Sequence, residues 1–234
     1  MIKSGIDQDA LITQFSQASA NQGAALRKAV SEATLKALQG REVTLANIRS
    51  VLKAVTQAAS AGAAESHLPM PDVEALLGQA FAGMDAALLK TVEAQRKALE
   101  QIVGQGVDLQ DKQMKAAIDN IEKMEEVFFT AVGKAVQGLD KPMQGPWDQV
   151  LESMKLKGTS TGAQAHQAAE QMLGQARSAM RDGRATGMRA AQAMMESYAT
   201  LVSGVLIGMS EGLQQGAAAP AASNAAPKAA GRRR

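Results

Sequence analysis

The chain has 234 residues, with 25 Lys and Arg against 23 Asp and Glu, 46% hydrophobic residues, only 3% aromatic ones and no cysteine. The length suits one domain or two small ones, and the missing cysteine removes disulfides, thiolate metal sites, iron–sulfur clusters and thiol nucleophiles. Lys228, Arg232, Arg233 and Arg234 close the sequence, so the body before them is faintly acidic. Such a body lacks the clustered basic surface that tracks nucleic acid, and leaves only a weak contact through Arg232, Arg233 and Arg234.

Met1–Ala10 carries Asp7 and Asp9 and no apolar run, so it reads as no secretory signal. Apolar residues then recur at steps of three and four, the helical period. The first segment, Asp7 to Gln39, shows Leu11, Phe15, Ala18, Leu26, Val30, Ala33 and Ala37 on one face and stops at Gly40. The next carries Leu45, Ile48, Leu52, Val55, Ala59 and Gly62, with Thr44 placed to accept a hydrogen bond from a free amide of the first turn. Pro69 and Pro71 mark a turn. A long helix is predicted from Asp72 through Val73, Leu77, Ala80, Met84, Ala87, Thr91, Ala94, Ala98 and Ile102. About thirty residues at 1.5 Å each make a rod of roughly 45 Å.

Gly104 and Gly106 end that rod, and a second begins near Asp108, with Met114, Ile118, Ile121, Phe128, Val132, Ala135 and Leu139 on one side. Gly138, Pro142, Gly145 and Pro146 form a cluster of breakers before a short helix, Trp147–Lys155. The polar stretch 157–162 reads as a linker. It separates a helical bundle region, 1–156, from an Ala/Met/Gly-rich helical region, 163–216. Residues 217–234 have no large apolar side chain to bury and are expected to be a disordered Ala/Pro tail. Ala fills 46 positions and the aromatics only six, which suits long helices meeting along narrow seams. The expected fold is all-α: an elongated bundle of long amphipathic helices with coiled-coil character.

Catalytic patterns are missing. Only His67 and His166 are present, and His166 with Glu170 at i+4 lacks the paired Glu-x-x-His motifs of a di-iron bundle. Gly104-Gln-Gly106 lacks the third glycine of a dinucleotide loop and follows a helix. Glu122, Glu125 and Glu126 read as a solvated helix face. The expectation is therefore a protein that is not an enzyme and holds no cofactor and no metal.

The candidate interaction element is the end of the helical region. Gly204, Gly208 and Gly212 recur four apart, flanked by Val202, Val205, Leu206, Met209 and Leu213. Each helical glycine costs up to about 1 kcal/mol relative to alanine, a cost offset where another backbone comes close. That backbone belongs either to this chain or to a partner, and both readings stay open from the sequence.

Several stretches carry a family resemblance. Ala33-Thr-Leu-Lys-Ala-Leu38, Ile48 to Val55, Gly62-Ala63, Ala87-Leu-Leu-Lys90, Glu125-Glu-Val-Phe128 and Ser203 to Gly208 together resemble an uncharacterised family of bacterial all-helical proteins, over roughly residues 20–213. In style the chain also resembles the phasins, the helical coat proteins of polyhydroxyalkanoate granules. Phasin-like features are the missing cysteine, the Ala/Gln/Met-rich amphipathic helices and the Ala/Pro/Lys tail. The tail departs from the repeated Ala-Ala-Lys-Pro pattern of nucleoid-linking relatives, having a single Pro227-Lys228. The phasin resemblance implies a cytoplasmic homo-oligomer that coats a polyhydroxyalkanoate granule or lipid surface. The alternative is a helical scaffold or chaperone-like bundle without a lipid role.

Overall fold

A computed structural model describes residues 6–17, 23–39, 43–66, 69–104, 112–181, 198, 201–207 and 209. It is all-α, with no strand among the described residues. The helices are α1 (Gln8–Gln17), α2 (Gly23–Gln39), α3 (Leu45–Glu65), α4 (Met70–Gly104), α5 (Lys112–Glu122), α6 (Met124–Gln137), α7 (Lys141–Lys157) and α8 (Ser160–Arg181). Residues 201–207 are also helical. The tail 217–234 lies outside the described residues.

The 35 residues of α4 make a mast about 52 Å long at the helical rise. It is apolar on more than one side, which is the pattern of a helix surrounded by others. Leu77, Phe81, Met84, Leu88, Val92 and Leu99 join the main core, while Ala87, Ala94 and Ala98 face a separate, smaller cluster. Helices α2, α3, α5, α7 and α8 all pack on α4, and α1 and α6 pack on α3. Three of the four phenylalanines meet where α4 faces α6: Phe81 stacks on Phe128 at 4.4 Å between ring centres, with Phe129 5.7 Å from Phe81. Such pairs add about 0.5–1.5 kcal/mol beyond the area they bury.

Two glycines set the closest approaches. A Cβ on Gly62 of α3 would meet the Phe15 Cβ and lie 2.6 Å from the Ile12 carbonyl oxygen of α1. A Cβ on Gly83 of α4 would lie 2.7 Å from the Arg27 carbonyl oxygen and 2.8 Å from the Val30 Cβ of α2. Real Cβ atoms do not come so near, so these two positions fix how tightly α1 and α2 dock.

The α3 start follows the sequence reading, with the Thr44 side chain accepting from the Asn47 amide at 3.2 Å. Three boundaries differ. The rod expected over 108–139 is two helices, α5 and α6, interrupted at Lys123, whose ψ is −1°. No glycine or proline marks that break. It lets α5 follow α8 while α6 lies along α3. The expected breaker cluster ends at Asp140, and α7 runs on through Gly145 and Pro146. Pro142 fits because first-turn amides have no partner inside a helix. Pro146 gives up one intrahelical bond, and the burial of Trp147 beside it holds the helix together. The Trp147 Nε1–H donates to Ser60 Oγ of α3 at 2.8 Å, and Ser60 Oγ donates to the Thr56 carbonyl at 2.7 Å.

The third difference is the stretch 157–162. Only Gly158 and Thr159 connect α7 to α8, and Gly158 sits at φ 74°, where a side chain would be strained. Ala165, Ala168, Ala169 and Met172 of α8 belong to the main core, so α8 continues the bundle. The polar residues taken for a linker are instead the cap of α8.

Candidate functional site

Residues 201–207 and 209 sit on a ledge formed by α2 and α4. Alanines at 87, 94 and 98 leave a shallow channel along α4 because methyl groups stand where other helices carry bulk. Thr91, fully buried between them, turns its hydroxyl to the Ala87 carbonyl at 3.0 Å and adds no protruding polar group. Leu35 of α2 walls the channel. Into it go Val202 and Leu206, each 1% exposed and four residues apart on one helical face. Tyr198, Leu201, Val205 and Met209 are half-buried around them. The Gln39 Nε2 amide of α2 donates to the Leu206 carbonyl at 3.2 Å, fixing the register of the segment on its ledge.

Gly204 points the other way. It is exposed, and a Cβ built there meets nothing within 4 Å. Within this chain it is not a close-approach glycine; Gly62 and Gly83 have that role. Ile207 shares the outer side and is 40% exposed. Of the expected interaction residues, Val202, Val205, Leu206 and Met209 are together on the ledge, and Gly204 faces solvent. Gly208, Gly212 and Leu213 lie outside the described residues, as do His67 and Arg232–Arg234.

The Tyr198 hydroxyl is buried and has no hydrogen-bond partner among the described residues. Burial disfavours the phenolate and pushes this phenol up from its ordinary value.

Sequence reasoning missed a second constellation, at the start of α8. The first amides of a helix have no intrahelical partner, and here two carboxylates from other helices take them. Asp85 of α4 accepts from the Ser160 and Thr161 amides, both at 3.0 Å, and its carbonyl accepts from the Thr161 hydroxyl at 2.9 Å. Glu125 of α6 accepts from the Thr159 amide at 3.2 Å and its hydroxyl at 2.6 Å. The same hydroxyl oxygen receives the Gly162 amide at 2.9 Å. Negative charge at this end is also favoured by the helix dipole. Gly162 has no room for a side chain, because a Cβ there would run into the Glu125 carboxylate. The reading of Glu122, Glu125 and Glu126 as one solvated face therefore fails at Glu125; Glu122 and Glu126 are exposed. The available signal was the run Gly158-Thr-Ser-Thr-Gly162, which is cap chemistry as much as linker chemistry. His166 and Glu170 stand exposed on α8. No helix among the described residues is long and apolar enough to cross a membrane.

Residues 1–215 match the model of a family of unknown function, DUF6781. The chain belongs to the DUF6781 family. No curated protein and no solved structure matches it significantly. For this DUF6781 protein the functional reading therefore rests on the ledge, its helical segment and the closed bundle beneath them.

Proposed function

We propose that this chain is a non-enzymatic, phasin-like association protein of the bacterial cytoplasm. It binds a hydrophobic granule or membrane surface through amphipathic helices. The observation supporting this is the position of the segment at 201–207: Val202 and Leu206 lie in a satellite cluster with alanines of α4 and Leu35 of α2, while Tyr198 and Leu201 also pack against the main core. Moving apolar area from water onto lipid or polyester is worth about 25 cal/mol per Å². Two aliphatic side chains such as Val202 and Leu206 supply about 3–6 kcal/mol in total, which alone gives binding between several millimolar and tens of micromolar at best. Stable coating therefore calls for several copies acting together, and homo-oligomerisation belongs to the proposal.

A scaffold or chaperone-like bundle without a lipid role is the second reading. It is favoured by the inward orientation of the apolar faces: among the described residues, the exposed large hydrophobics are Leu156, Leu173 and Ile207. Co-sedimentation of the purified protein with polyhydroxybutyrate granules and with phosphatidylcholine liposomes separates the two. Binding to either supports the surface reading, and protein left wholly in the supernatant supports the scaffold. A nucleic-acid role through Arg232, Arg233 and Arg234 would show as a weak affinity, steeply reduced by salt and lost when the three are deleted.

A further inference from the structure

We draw no further inference here: the strongest candidate, the half-exposed small-residue face of α4 at Gly78, Ala82 and Ala86, carries none because nothing in the structure shows what covers it.

Discussion

Gly78 and Gly83 stand on the same helix, so replacing each with alanine isolates the effect of neighbours. A Cβ at Gly78 meets nothing within 4 Å, whereas one at Gly83 comes within 2.9 Å of the Arg27 carbonyl oxygen and two Val30 side-chain carbons. In the open position, alanine gains the helix-propensity difference, up to about 1 kcal/mol. At Gly83 the same gain is offset by overpacking, typically about 1–3 kcal/mol. The clash includes backbone and a β-branched side chain, neither of which swings aside, so the upper part of that range applies. The net expectation is Gly78→Ala stabilised by about 0.5–1 kcal/mol and Gly83→Ala destabilised by about 1–2 kcal/mol. Urea unfolding followed by far-ultraviolet circular dichroism measures both. Equal stabilisation by the two substitutions would refute the close α2–α4 approach on which the position of the ledge depends.

Further expectations concern the cap, the tryptophan, the tyrosine and the outer glycine. Asp85→Ala leaves the Ser160 and Thr161 amides without their acceptor and should cost about 1–3 kcal/mol in urea unfolding; an unchanged midpoint would show that water replaces the carboxylate fully. Trp147→Phe removes the donor to Ser60 and leaves a void, for about 1–3 kcal/mol; a loss below the error of the unfolding curve would count against α7 being pinned there. Burial favours the neutral Tyr198 phenol, so its share of stability is present below the unfolded value of about 10 and is lost as pH rises through the higher folded one. As this is the sole tyrosine, an absorbance titration should place its ionisation well above pH 10 in the folded chain and near 10 in urea; coincident curves would mean the phenol is wet. Gly204→Leu meets no neighbour within the chain, so monomer stability should hold or rise slightly. In analytical ultracentrifugation it should weaken self-association if copies meet on that face, and unaltered association would place the oligomer contact elsewhere.

The helical architecture was legible because a three-four spacing names the buried face wherever large aliphatics recur. Leu45, Ile48, Leu52, Val55, Ala59 and Gly62 gave α3 and its cap, and the Pro69–Pro71 pair announced α4. What was not legible depends on contacts between residues far apart in the chain. Nothing local distinguishes Gly83, pressed against α2, from Gly204, open to water. Nothing local turns Glu125 inward while Glu122 and Glu126 stay out; that is decided by the amide and hydroxyl of Thr159, 34 residues away at the start of α8. Pro146 survives in α7 because the tertiary burial of Trp147 outweighs one lost hydrogen bond. On the ledge, Val202 and Leu206 are buried against α2 and α4, whereas Gly204, expected on the approach side, faces outward. That Ala87, Ala94 and Ala98 would receive Val202 and Leu206 follows only from how α2 and α4 leave a channel between them.

The most direct measurement is co-sedimentation of the intact chain with polyhydroxybutyrate granules, at several protein concentrations. The expected result is saturable binding that steepens as the protein self-associates and falls when Val202 and Leu206 are both replaced by serine. Protein that stays in the supernatant at every concentration would contradict a surface-coating role.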